Sequence, residues 1–270
     1  MPPWCARWRS ELKQFEENGE IRTAVEALYR MDALWFARER LLFEPDLRQQ
    51  AIMSGQIHRG LLNCTRQWGK STIAAAMAVH RAWATSDSLV IVASPSARQS
   101  GEFLRRASGF VRKLGIRVRG DGDNEISLLF PNGSRVVGLP GSEKTVRGFS
   151  GVSLMLIDEA ARVSDELYRS VRPFLAVADG DLWLMSTPFG KRGFFYEEWE
   201  NGGPRWSRFK ITAPECPRIR REFLEEERAS MGDLWFRQEY LCEFVGDDQS
   251  LFNRELVERA FSNDVRPLFF

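Results

Sequence analysis

Nine residues, Cys64-Thr65-Arg66-Gln67-Trp68-Gly69-Lys70-Ser71-Thr72, have the types and spacing of a phosphate cradle. They follow the apolar Leu61-Leu62 and precede Ile73-Ala74-Ala75-Ala76-Met77, which reads as a helix. A turn between strand and helix that ends in Gly-Lys-Ser-Thr aims backbone N–H groups and a helix N-terminus at an anion. The lysine then reaches the outer phosphates and the serine hydroxyl ligates Mg²⁺. Arg66, Gln67, Trp68, Gly69, Lys70, Ser71 and Thr72 are thus candidate nucleotide-binding residues. The first glycine of the usual GxxxxGK(S/T) pattern is replaced by Cys64, and Arg66-Gln67 occupy the loop. From its place before Lys70, the Arg66 guanidinium could reach the γ-phosphate, sense it, or brace the loop.

A second element suits the same chemistry. Leu154-Met155-Leu156-Ile157-Asp158-Glu159 reads as a buried parallel strand ending in two carboxylates. Asp158 would hold the metal through its water shell together with Ser71, and Glu159 would be the general base for attack on the γ-phosphate. An apolar run ending in a capping acid would look the same, but its pairing with the loop at 64–72 favours the catalytic reading. Ser186-Thr187-Pro188 ends the next core strand. Small hydroxyl residues there could sense the γ-phosphate and relay its loss, although Ser-Thr-Pro is also ordinary turn chemistry.

Upstream, Gln49 could read the adenine edge with its paired donor and acceptor, with Gln50 as the alternative. An aromatic residue, Phe36 or Phe43, could stack on the base. The helix after Ser94-Pro95-Ser96 has an apolar stripe (Phe103, Ala107, Phe110, Val111, Leu114) and an opposite face carrying Arg98, Arg105, Arg106, Arg112 and Lys113. That face could track a phosphate backbone or be an ordinary solvated surface. Arg147, on a glycine-flanked loop before the Asp-Glu strand, could act as an arginine finger in a neighbour's site, bind DNA, or sit in solvent.

These residues need a scaffold. Strand-like runs at 60–64, 89–93, 154–157 and 182–185 alternate with helical segments at 70–84, 97–114 and 164–176. Such alternation implies a mainly parallel sheet covered by helices on both faces. Residues 126–139 read as two strands around the Asn132-Gly133 turn, a hairpin inserted in this α/β pattern. The expected divisions are a helical preface (1–44), a P-loop core (45–205), a small linker or lid subdomain with a strand near 206–212 and two helices over 220–242 (206–250), and a tail (251–270). The 43% hydrophobic content, with nine Trp and nineteen Phe, indicates a folded globule. A net charge of +1 excludes wholesale attraction to nucleic acid but allows a local basic surface. No run approaches the length of a membrane span. Four scattered cysteines show neither zinc nor disulfide spacing.

Together these segments resemble the large terminase subunit of tailed bacteriophages. The likeness runs from about Pro45 to Phe252 through LLNCTRQWGKST, VIVASPSARQS, the PNGSR hairpin, TVRGFSG, LMLIDEAAR, LMSTPFGKRGFFYEEW and FRQEYLCEF. An arginine-containing phosphate loop without its first glycine is typical of that family. The resemblance implies an ASCE-type P-loop ATPase core with a small lid. It would use ATP and Mg²⁺ to move double-stranded DNA into a procapsid, in the cytoplasm of the bacterial host and without a membrane. The implied partners are the portal protein, the small terminase subunit and further copies of the chain in a pentameric ring on the procapsid, with the isolated chain expected as a monomer. Family roles fall on Lys70, Ser71, Asp158, Glu159 and Ser186–Pro188, and less directly on Arg66, Arg147 and Gln49. Such subunits normally continue into an RNase H-like nuclease domain. The chain here stops at Phe270, so no nuclease activity is expected of this polypeptide, and Asp247 and Asp248 read as linker. A superfamily-2-like helicase lobe is the main rival, and a nucleotide-binding structural component is a third reading.

Overall fold

The computed structural model describes residues 19–122, 126–139 and 148–246. Arg147, Asp247, Asp248, Cys5 and the tail 251–270 lie outside the described residues, as does the start of the helical preface. In chain order the elements are α1 (Gly19–Met31), α2 (Ala33–Glu39), α3 (Leu47–Met53), β1 (Arg59–Cys64), α4 (Lys70–Ala84), β2 (Leu89–Ala93) and α5 (Ala97–Lys113). There follow β3 (Ser127–Leu129), β4 (Arg135–Leu139), β5 (Val152–Asp158), α6 (Asp165–Val171), β6 (Asp181–Ser186), α7 (Gly193–Asn201), β7 (Ser207–Ile211), α8 (Arg221–Met231) and α9 (Asp233–Tyr240).

Among the described residues the strands form one seven-stranded sheet in the order β3-β4-β2-β5-β6-β1-β7. Every neighbouring pair is parallel except β3 with β4. The run Leu89-Val90-Ile91-Val92-Ala93 is buried throughout, as a strand covered on both faces must be. The two-residue period of the strands then splits the core. Leu62, Val92, Leu156 and Met185 join Ile73, Phe103 and Ala107 of α4 and α5 on one side. Leu61, Ile91, Met155 and Leu184 join Leu167 of α6 and Phe195 of α7 on the other.

Register determines where the chemistry converges. Asn63 lies opposite Ser186, and Asp158 opposite Met185. The carboxyl ends of β1, β5 and β6 therefore emerge side by side, with β6 between the phosphate-loop strand and the acidic strand. In open α/β sheets this edge is where ligands bind.

Four expectations are refined. The hairpin forms, turning at Gly133 with φ 82°. Because β4 also pairs with β2, it extends the main sheet. The helix expected over 164–176 ends at Val171 and continues as a 3₁₀ turn over Arg172–Leu175, because Pro173 lacks the N–H an α-helix needs. The strand expected in the C-terminal subdomain is β7 of the main sheet, paired with β1 from Gly60↔Ser207 to Cys64↔Ile211. A boundary at 205/206 would cut that sheet; what stands apart is the α8–α9 pair, broken at Gly232 (φ 79°) and packed on its own cluster of Ala213, Leu224 and Phe236. Finally, Phe36 is fully buried against His80 and Trp83, so it anchors α2 to α4 and cannot stack on a base.

Candidate active site

Cys64 closes β1 and is fully buried. No positive φ is needed there, which explains how this loop dispenses with its first glycine. The left-handed angles fall instead on Gln67 (φ 63°) and Gly69 (φ 102°). A Cβ on Gly69 would also stand 3.1 Å from Gln49 Nε2, a tight contact, but it is the left-handed φ that calls for glycine. Trp68 is 1% exposed and belongs to the α4-side core. Its side chain anchors the loop from behind, and only its backbone is available to a ligand. The Trp68 carbonyl accepts from Gln49 Nε2 at 3.3 Å and from the Arg218 guanidinium.

Lys70 opens α4 immediately after the loop, and its Nζ lies 2.8 Å from Glu159 Oε1. Burial opposes the charge on this lysine, but Glu159, Cys64 and Asp158 together outweigh it and hold the ammonium above its ordinary range. The Ser71 hydroxyl donates to Asp158 Oδ2 at 2.8 Å. Asp158 Oδ1 accepts the Glu159 N–H at 3.1 Å. Burial, opposed by Lys70 and reinforced by Glu159, raises the Asp158 carboxyl. Glu159 has left-handed backbone angles (φ 52°, ψ 41°), rare for a residue with a Cβ. This turn ends β5 abruptly and directs the carboxylate back across the loop. Burial pushes the neighbouring Cys64 thiol up to about 12, even though Lys70 works against that rise.

Ser186, Thr187 and Pro188 are buried at the end of β6. The Thr187 hydroxyl donates to the Cys64 carbonyl at 3.1 Å. The Ser186 hydroxyl donates to the Thr187 carbonyl at 2.8 Å and accepts from the Ala161 N–H at 3.2 Å. The segment therefore links the base of the phosphate loop to the turn that carries Glu159.

The loop borders a cavity of about 610 Å³, of a size suited to a nucleotide. Arg66, Gln67, Trp68, Gly69, Lys70, Ser71, Thr72 and Glu159 line it. Gln49 lines it too, with its side chain also capping α3: Oε1 accepts the Asp46 N–H at 3.0 Å. One amide hydrogen and one lone pair of Gln49 remain for a ligand. Gln50 instead donates to the Pro45 carbonyl at 2.9 Å and does not line the cavity. Phe43 does, with its ring 5.7 Å from that of Phe110. The basic helix face divides: Arg106 borders the cavity, Arg105 pairs with Glu102 at 2.9 Å, Lys113 lies over Phe110, and Arg98 and Arg112 are exposed.

Sequence reasoning missed three participants. Arg162, one 3₁₀ turn after Glu159, sits 3.5 Å from Glu159 Oε2. Arg218 bridges Asp46 and the Trp68 carbonyl, and Glu239 of α9 meets both Arg66 and Arg162. Only Arg162 carried a local signal, its three-residue spacing from Glu159. The other two arrive from segments far along the chain. Ser71 and Asp158 suit Mg²⁺, a hard cation that takes few protein oxygens and keeps waters and phosphate oxygens as its other ligands. Among the described residues there is no cluster of three or more His, Cys, Asp or Glu side chains that would hold a metal unaided.

Fold and site together define an ASCE-type P-loop ATPase domain. Residues 61–259 match the family described as terminase large subunit, T4likevirus-type, N-terminal. The chain belongs to that family. The terminase large subunit of Thermus phage G20c is 26% identical, over 80% of this chain and 52% of the relative. That of Escherichia phage T5 is 24% identical, over 73% of this chain and 46% of the relative. The chain thus spans about half the length of the curated relatives it matches. Among solved structures, the large terminase ATPase domain of Thermus phage P74-26 superposes with a TM-score of 0.69 at 26% identity, covering 77% of this chain and 96% of that one. A large terminase from another thermophilic bacteriophage, in complex with ATP-γ-S, shares the fold at 14% identity and a TM-score of 0.57, covering 80% of this chain and 52% of that one.

Proposed function

We propose that this chain is the ATP-hydrolysing motor domain of a phage DNA-packaging terminase. The observation that carries the reading is the meeting of Lys70, Ser71 and Glu159 at one cavity, with Asp158 joined to it through Ser71 Oγ at 2.8 Å and Lys70 Nζ 2.8 Å from Glu159. Loop N–H groups and Lys70 hold the phosphates of ATP, and Gln49 and Phe43 face its base. Ser71 and Asp158 would hold Mg²⁺, which would supply charge neutralisation to the phosphates. For hydrolysis Glu159 turns from Lys70, which passes to the phosphate, and accepts a proton from the attacking water. The water oxygen bonds to the γ-phosphorus as the bond to the β–γ bridging oxygen breaks and ADP leaves.

Ser186 and Thr187 carry the loss of the γ-phosphate from the loop to the Glu159 turn. The motion is passed to double-stranded DNA, with exposed Arg98 and Arg112 among the candidate grips. Under this reading the chain works with the portal protein and small terminase subunit, in the cytoplasm of an infected bacterium. It sits in a ring of copies in which Arg147 reaches a neighbour's site.

The test is ATPase rate per subunit against protein concentration, with and without double-stranded DNA. The reading predicts Mg²⁺-dependent turnover that rises with concentration and with DNA. No turnover under any of these conditions would overturn it, and robust strand separation of a duplex would favour a helicase lobe.

A further inference from the structure

Glu239 lies in α9, outside the sheet that carries the nucleotide site, yet it is 7% exposed. Burying a carboxylate is unfavourable unless opposite charge meets it. Here two guanidiniums do: Arg66 Nε is 2.7 Å from Oε2, and Arg162 Nη2 is 3.5 Å from Oε1. The Arg66 approach is too bent for a hydrogen bond, since Oε2 has no aligned donor, so the contact is an ion pair. Arg162 also reaches Glu159 Oε2 through Nη1 at 3.5 Å, and Glu159 pairs with Lys70. The result is a line of alternating charge, Arg66–Glu239–Arg162–Glu159–Lys70, that leaves the phosphate loop at one residue and re-enters it at another.

The backbone of this region is fixed to the same loop. Thr65 Oγ1 donates to the Glu239 carbonyl at 3.1 Å, and Asn63 Nδ2 donates to the Cys242 carbonyl at 3.0 Å. The neighbouring Gln238 accepts the Gly190 N–H at 3.0 Å, just beyond the Ser186–Pro188 segment. Glu239 is therefore a countercharge held in place by β1 and by the segment after β6.

We propose that Glu239 is a positioning residue for the catalytic glutamate, acting through Arg162. Two carboxylates compete for one guanidinium that is equidistant from both. Glu239 keeps Arg162 from closing fully onto Glu159, and so leaves the Glu159 carboxylate able to turn to the attacking water. Without the Glu239 charge, Arg162 collapses onto Glu159 and locks it in an ion pair. This inference rests on the ATPase reading above and adds a specific means by which α9 governs the catalytic step.

The experiment measures steady-state ATP hydrolysis with Mg²⁺ and double-stranded DNA for wild type, Glu239→Gln, Glu239→Asp, Arg162→Ala and the Arg162→Ala/Glu239→Gln double variant. Thermal melting is recorded for each. Glu239→Gln should lower kcat at least tenfold with KM within about threefold, and Glu239→Asp should recover most of the loss. The double variant should turn over faster than Glu239→Gln alone, because the arginine that locks Glu159 is gone; such non-additivity marks direct coupling. Unchanged kcat in Glu239→Gln would overturn the proposal. So would a loss that Arg162→Ala does not relieve, or one that simply tracks a fall in melting temperature, since either would make Glu239 a structural clamp. Wild-type turnover with an inert Glu239→Gln substitution refutes this inference alone, whereas absent wild-type turnover refutes the ATPase reading and this inference with it.

Discussion

Lys70 and Glu159 form a 2.8 Å ion pair that joins the first residue of α4 to the residue following β5. Under the proposed function each is the partner the other gives up, the lysine for the phosphates and the carboxylate for the attacking water. The pair gives the buried ammonium a half-buried carboxylate as its partner. Lys70 is buried with 11% of its side chain exposed, whereas 24% of the Glu159 side chain reaches solvent, so the carboxylate can leave the pair at less cost than a fully buried one.

Gly69→Ala tests the loop geometry. The new Cβ meets left-handed backbone at φ 102° and stands 3.1 Å from Gln49 Nε2. The backbone penalty alone is about 1–2 kcal/mol. Nucleotide affinity, measured by titration calorimetry, should fall at least tenfold; unchanged affinity would mean that the loop does not hold the phosphates in this conformation.

Thr187→Val tests the link between β6 and the phosphate loop. The substitution keeps the shape but removes the donor to the buried Cys64 carbonyl. Leaving that carbonyl unpaired costs about 1–3 kcal/mol, and at roughly 2–4 °C per kcal/mol for a domain of this size the melting temperature should drop by several degrees. A melting temperature within one degree of wild type would remove the hydrogen bond from this account.

The cysteines give a chemical test. Burial pushes Cys64 to about 12 and raises Cys242 well above the ordinary thiol value. Because the thiolate is the nucleophile, neither should react with iodoacetamide at pH 8 in the folded protein, and both should react in denaturant. Peptide mass spectrometry reads this directly, and rapid native labelling of Cys64 would contradict its place in β1.

Acid should loosen the packing of α1 and α2 on α4. Burial lowers His80 below its ordinary value of 6.5, with its Nε2 2.9 Å from the Tyr29 carbonyl and its ring against Phe36. Between the folded and unfolded pKa values the unfolded chain binds more protons, so stability rises with pH. The His80 contribution is complete above about pH 6.5 and is lost as pH falls towards the lowered folded value. A thermal melt series from pH 7.5 to 5 should show this loss, and His80→Gln should flatten it. An equal slope in the variant would assign the acid sensitivity to other groups.

The residues that meet at the candidate site could be picked out from the sequence because their signals are local. Gly69-Lys70-Ser71 and Asp158-Glu159 each lie at a strand end recognisable from neighbouring residues, and the buried run Leu89–Ala93 announces a covered parallel strand. What escaped depends on distance along the chain. Nothing near Glu239 or Arg218 shows that these side chains return to the phosphate loop, because the contacts arise from how α9 and the segment after β7 fold back. Phe36 and Phe43 are indistinguishable as aromatic residues, and only packing sends one into the core and the other to the cavity. β7 was recognisable as a strand, but its place beside β1 is set by parallel pairing across most of the chain.

The role of Glu159 is tested most directly by a paired measurement on Glu159→Gln with Mg²⁺ and double-stranded DNA: ATP affinity by titration and turnover by phosphate release. The variant keeps the shape of the side chain and the phosphate-binding residues but cannot accept a proton from water. ATP binding should stay within threefold of wild type while turnover falls at least a hundredfold, the scale of a lost general base. Turnover within a few-fold of wild type would contradict the assignment of Glu159 as the base at the end of β5.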